Sequence, residues 1–182
     1  NWGANAGALL NPWTACDYAD FRPIISSLRY LSDEQRRFED GAWGEELVWF
    51  FGSDALQAPS SPPERRTASF PASGLHVLRQ GGGDFAVMRC GAVTDRFGQA
   101  DQLHVDIWHG GENVAIDGGS YCYNDELDFH RWFMGTRSHN TVTVDRRDQM
   151  LLHRRFKWLY WTEAECNRLS KAHVEGMHNG YA

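Results

Sequence analysis

Two hydrophobic periods divide the chain. Up to about residue 52 the apolar positions follow helical spacing. Phe21, Ile24, Ile25, Leu28 and Leu31 fall within Asp20 to Leu31 at the intervals of one helix. Pro23 sits where a first-turn proline is tolerated, and Asp20 is a suitable N-cap. A second helix is predicted from Gly44 to Phe51 on Leu47, Val48, Phe50 and Phe51, with Gly52 as its stop. Residues 53–73 lose all periodicity. Their run Ala58-Pro-Ser-Ser-Pro-Pro-Glu-Arg-Arg is dense in breakers and reads as a linker.

Beyond the linker the period becomes two. Ser69 to Leu78 reads as a hairpin arm around Pro71 and Gly74. Strands are predicted at Phe85–Cys90, Leu103–Trp108, Val114–Ile116, Asn140–Asp145, Phe156–Trp161 and Lys171–Val174. Gly110-Gly111-Glu112-Asn113 supplies a tight turn. Gly81-Gly82-Gly83 is a turn and not a phosphate loop, because no Lys-Ser/Thr follows. The expectation is an antiparallel sheet that the chain does not finish.

Composition narrows the function classes. Of 182 residues 42% are hydrophobic, and 8 Trp, 6 Tyr and 10 Phe leave aromatics for a sugar-stacking cleft after a core is filled. A net charge of −6 argues against nucleic acid as a partner. It argues little against a polyanion, since a local Arg/His cluster overrides net charge. No run of about 18 apolar residues exists to span a membrane. The start, Asn1-Trp-Gly-Ala-Asn, has neither an initiator Met nor a signal peptide and reads as cut from a longer protein. Cys16, Cys90, Cys122 and Cys166 form no C-x-x-C site, and either two disulfides or four buried thiols fit them.

The densest polar cluster lies between Gln99 and Asn140. On a strand from Asp101 to Asp106, His104, Asp106 and Gln102 share one face. Asp117 ends the returning strand and His139 opens another, so imidazole and carboxylate groups converge from strand ends. Asp117, His139 and a third ligand would suit Zn²⁺. The plainer alternative is that Asp117 caps a turn and His139 bonds a backbone carbonyl. Asp125, Glu126 and Asp128 read as a solvated acidic loop, and His109, His130, His153 and His173 as surface or core positions.

Three separated segments carry a family resemblance. They are Gln99-Ala-Asp-Gln-Leu-His-Val-Asp-Ile-Trp, then Ala115-Ile-Asp-Gly-Gly-Ser-Tyr-Cys-Tyr-Asn, then Thr136-Arg-Ser-His-Asn-Thr-Val-Thr-Val-Asp. In order and interval they resemble the heparinase II/III-like polysaccharide lyases. The N-terminal Asn1-Trp-Gly-Ala-Asn-Ala-Gly-Ala with Cys16-Asp-Tyr-Ala-Asp-Phe-Arg-Pro is similar to the end of that family's helical toroid, and His178-Asn-Gly-Tyr to a later strand.

The resemblance implies an α+β chain: the C-terminal helices of an (α/α) toroid (1–52), a linker (53–73) and a truncated, predominantly antiparallel β-sandwich (74–182). It implies β-elimination on an acidic, uronic-acid-containing polysaccharide, in a periplasmic or secreted bacterial parent. It also implies zinc, with Asp117 and His139 as ligands. Gln99 stands where many members carry the first ligand, a His. Gln is a poor zinc ligand, so either no metal is held or another group such as His104 takes that place. Catalysis at C5 of a uronate needs a base, an acid and a cation for the carboxylate. Tyr18, His104 and Arg137 are the candidates, with core packing, an ordinary hydrogen bond and a surface ion pair as their respective structural alternatives. Arg137 would pair with a carboxylate bidentately. Two other functions fit the same residues: a non-catalytic carbohydrate-binding module, or a glycoside hydrolase using Asp101 and Asp117. The 182-residue chain alone is expected to show little or no activity.

Overall fold

The computed structural model describes residues 15–17, 20–62, 64–95, 97–120, 126–155 and 157–181. The chain divides into two compact units, one within Asn5–Glu64 and the other containing Arg65–Ala182. It is an α+β chain with antiparallel pairing throughout its named strands.

The first unit holds α1 (Arg22–Asp33) and α2 (Glu45–Phe51), with one 3-10 turn just before α2 and another just after it. Asp20 stabilises the start of α1, its carboxylate accepting the Arg22 N–H at 3.0 Å. Gly52, at φ 85°, ends α2. The apolar stripe predicted on α1 does not face inward. Phe21, Ile25, Leu28 and Leu31 are exposed, whereas Pro23, Ser26 and Ser27 are buried. On the buried face the Ser27 hydroxyl donates to the buried Glu46 carboxylate on α2 at 2.9 Å.

The second unit is built on a five-stranded meander: β1 (Ala68–Phe70), β2 (Leu75–Arg79), β3 (Phe85–Arg89), β4 (Val105–His109) and β5 (Glu112–Ala115), each paired with its sequence neighbour. Short turns join the other neighbouring strands, but β3 and β4 are joined by the longer segment 90–104, which carries Gln99, Asp101 and His104. Between β4 and β5 the turn is Gly110-Gly111, both at positive φ (60° and 87°), the conformation that a right-twisted hairpin demands. Helix α3 (Leu127–Met134) follows, then two hairpins, β6 (Leu151–Arg154) with β7 (Lys157–Leu159) and β8 (Ala164–Ser170) with β9 (His173–His178). Phe97, Ala100, Met134, Met150 and Trp158 form a buried cluster under α3 and the β6–β7 hairpin.

Four local expectations are corrected. The strand predicted at Lys171–Val174 begins only at His173, because Lys171 and Ala172 form the turn between β9 and the unpredicted β8. Asn140–Asp145 is not a strand. Among those residues only Val144 makes a bridge, to Arg147, across a turn whose central residues Asp145 and Arg146 have φ of 51° and 58°. The strand predicted from Leu103 begins at Val105, because Leu103 adopts φ 60° and breaks the extended run. The segment read partly as an acidic loop forms α3, which buries His130 and Met134.

Candidate functional site

Three chain segments converge on Asp117. The first is the turn before β4. Leu103 at positive φ lets the chain double back, with its N–H on the Arg89 carbonyl at 2.7 Å, while the Arg89 N–H returns to the His104 carbonyl at 2.9 Å. His104 is thereby fixed just ahead of β4, with its side chain fully buried. The second segment leaves β5 and reaches Asp117, whose carboxylate accepts the Gly119 N–H. The third is the 3-10 turn Thr136–Ser138 after α3, which delivers His139.

The polar geometry is compact. His139 Nδ1 lies 2.8 Å from Asp117 Oδ2, and His104 Nε2 lies 3.4 Å from the same oxygen. The two imidazoles meet edge to face at 5.8 Å between centroids. All three side chains are at most 2% exposed. Asn140 clamps the arrangement: its N–H donates to His104 Nδ1 at 3.0 Å, and its side-chain amide donates to the Ile116 carbonyl at 3.0 Å. Since Nδ1 of His104 accepts, Nε2 is the atom turned to the carboxylate.

Electrostatics follow from burial and pairing. Burial raises the Asp117 carboxyl, but the hydrogen bond and charge of His139, the Gly119 N–H and nearby His104 outweigh it. Together they hold the group below the usual carboxylate range. Burial pushes the His104 imidazole below its ordinary value, against the pull of Asp117. Burial likewise raises Asp101, opposed by Arg89, whose Nε stands 3.6 Å from the carboxylate.

Ligand atoms of His104, Asp117 and His139 all lie within 4.8 Å of one another. Two imidazoles and one carboxylate make a donor set that zinc takes with a fourth position left open. A cation shared with Asp117 would stand on the Nδ1 side of His139, in place of the present hydrogen bond, because Nε2, buried without a hydrogen-bond partner among the described residues, faces the other way. The residues present therefore fit a divalent cation.

Gln99 lies beside the same loop. Its amide nitrogen faces the Gly119 carbonyl at 3.2 Å, the Ser120 hydroxyl at 3.4 Å and the Phe133 carbonyl at 3.5 Å. Its buried Oε1 has no hydrogen-bond partner among the described residues. Arg137 is exposed, its guanidinium over the Trp132 ring at 5.2 Å from the centroid. Asp106 does not share the His104 cluster by strand alternation; its carboxylate receives the Asn113 amide at 3.2 Å. Tyr18 and Cys122 lie outside the described residues.

A supporting layer went unnoticed in the sequence. The Gln149 side chain brackets the backbone of Gln102, accepting its N–H and donating to its carbonyl, both at 2.9 Å. Thr141 donates to that carbonyl at 2.7 Å. The Gln102 amide in turn brackets Gly91, donating to its carbonyl at 2.8 Å and accepting its N–H at 3.3 Å. Gln102 stands two residues before His104, and Thr141 two after His139, so this lattice ties both histidine-bearing segments together. Buried glutamines in polar surroundings were the available signal, but no local spacing links positions so far apart in sequence.

Residues 62–182 match the family model for the heparinase II/III-like C-terminal domain. Over 92 residues the chain is 32% identical to a heparin-sulfate lyase of Bacteroides stercoris, covering 47% of this chain and 14% of that protein. Among solved structures it resembles a heparan sulfate lyase HepC mutant from Pedobacter heparinus. The TM-score there is 0.50 and the identity 16%, over 81% of this chain and 22% of that one. A second likeness is to a heparinase III gene product, at a TM-score of 0.49 and 23% identity, over 70% and 20% of the two chains. The chain thus spans a small part of the length of each of these relatives.

Proposed function

From the premise that the chain belongs to the heparinase II/III-like family, by its C-terminal domain, we propose that the protein carrying it is a polysaccharide lyase. Its substrate would be an acidic polysaccharide containing uronic acid, cleaved by β-elimination. In this reading a base removes the C5 proton of a uronate, and the 4-linked sugar leaves with a proton supplied by an acid. Tyr18 is the proposed acid/base group. Arg137, exposed and braced on Trp132, is the proposed partner of the uronate carboxylate. The first unit would be the end of an (α/α) toroid and the second the beginning of a β-sandwich, in a periplasmic or secreted protein.

The observation that carries the reading at the level of residues is the buried cluster in which His104 and His139 share one oxygen of Asp117. We assign His104, Asp117 and His139 as the residues that would hold zinc, with Gln99 beside them as a hydrogen-bonding group. Bound there, the cation would supply cross-linking of three loops. In the structure the one lone pair of neutral His104 lies on Nδ1, where it accepts the Asn140 N–H, so holding the cation would require His104 to give up that bond or its Nε2 proton. One feature favours a second reading, a carbohydrate-binding module without catalysis: Gln99 stands where the family pattern has an imidazole.

The test is to incubate the full-length protein with a panel of uronate polysaccharides and follow the ultraviolet absorbance of the unsaturated sugar. Rising absorbance supports the lyase reading. A flat trace on every substrate, with polysaccharide still bound, supports the binding module instead.

A further inference from the structure

Away from the Asp117 cluster, two cysteines flank one glycine. Gly176 on β9 lies directly opposite Cys166 on β8 in the antiparallel register. Alternate residues of this hairpin are more buried: Ala164, Cys166 and Leu169 on one strand, Val174, Gly176 and His178 on the other. Cys166 and Gly176 therefore share the inward face. Cys90, one residue past the end of β3, is 1% exposed and packs against that same face. A Cβ placed on Gly176 would stand 2.7 Å from the Cys90 sulfur and 3.1 Å from the Met88 methyl. The thiol of Cys90 thus fills the space that any side chain at 176 would need.

Directly opposed residues of an antiparallel pair hold their Cβ positions about 4.5–5.5 Å apart. The Cys166 side chain therefore leaves the hairpin on the face that Cys90 packs against, and its thiol donates to the Arg168 carbonyl at 3.6 Å. The register of the hairpin also shifts between Cys166 and Arg168, a bulge that re-aims side chains at this point. Both thiols are free in the structure; we propose that oxidation joins Cys90 and Cys166 in a disulfide that fastens the β8–β9 hairpin to the end of β3.

The chemistry balances with a small-molecule disulfide as oxidant. The Cys166 thiolate, the more accessible of the two, attacks one sulfur of the oxidant and releases one small thiolate, leaving a mixed disulfide. The Cys90 thiolate then attacks the Cys166 sulfur and releases the second small thiolate. Two protein thiols lose two protons and two electrons, and both end on the two small thiols. Burial pushes the Cys90 thiol up to about 11, so it serves as the slow, resolving partner and not as the first nucleophile.

The experiment uses the full-length protein, incubated with excess oxidised glutathione, then alkylated, digested and mapped by mass spectrometry. The expected product is one cross-linked peptide pair holding Cys90 and Cys166, lighter by two hydrogens than the reduced pair. Its reduction should lower the melting temperature by on the order of 10 °C, as closing a long loop implies. Three outcomes overturn the proposal: both cysteines alkylated after oxidation, either one joined to another cysteine, or a lasting mixed disulfide on Cys166 with Cys90 still free. In Cys166→Ser the Cys90 thiol should stay unmodified by the oxidant in folded protein; a glutathione adduct on Cys90 there would count against its role as the shielded partner.

Discussion

His139 Nδ1 and Asp117 Oδ2 stand 2.8 Å apart, with both side chains shielded from water. A buried charge keeps its place only when a partner answers it, so each residue depends on the other. Breaking such a pair by removing one member typically costs about 3–5 kcal/mol. Asp117→Ala should lose stability in that range, measured by urea denaturation. Zinc should raise the melting temperature of the unaltered protein and leave that of the variant unchanged.

Acid should weaken the fold through His104. In chelator-treated protein, burial holds its imidazole below the ordinary value of 6.5, so between 6.5 and the folded value the unfolded chain binds more protons. Stability is then full above that window and declines as pH falls through it. Asp117 adds a second loss at lower pH. Its folded carboxyl lies below 3.8, so its contribution is present above 3.8 and disappears as pH falls through the folded value. Thermal melts from about pH 7 to about pH 5 should show a falling transition, and His104→Asn should flatten it.

Gln149→Leu should destabilise the site's support. The Gln102 N–H loses its buried acceptor, while its carbonyl keeps Thr141. One orphaned buried donor costs about 1–3 kcal/mol. Denaturation should report that loss, and zinc affinity, followed by competition with a chromophoric chelator, should fall with it because both histidine segments hang on Gln102.

The choice between Gln99 and His104 as third ligand is open to direct reversal. If His104 fills the role, Gln99→His should raise zinc affinity by less than about tenfold, whereas His104→Ala should lower it by at least about a hundredfold, the range expected for ligand-sphere changes. The opposite order would move the site back to position 99.

How much of this was legible differs by residue. Asp117 and His139 stood out because separated segments kept their order and interval, and the hairpin at Gly110-Gly111 was readable because its backbone demands glycine. The Thr/Val alternation at 140–145 misled. The Asn140 carbonyl accepts the Val105 N–H, and the Asn140 N–H and Thr141 hydroxyl are spent on His104 and Gln102, so tertiary partners override strand preference. Helix α3 was missed because Asp125, Glu126 and Asp128 around its start read as a solvated loop, and its 8 residues leave little length for a helical period to show. The exposed stripe of α1 shows the converse: helical spacing identified the helix but not the face it buries.

The most direct measurement is the mass of the products released from a uronate polysaccharide by the full-length protein. Elimination predicts new ends carrying an unsaturated uronate, one water lighter than the products of hydrolysis and absorbing in the ultraviolet. Products of hydrolytic mass, or none from any uronate polysaccharide, would contradict the assignment of this chain to a working lyase.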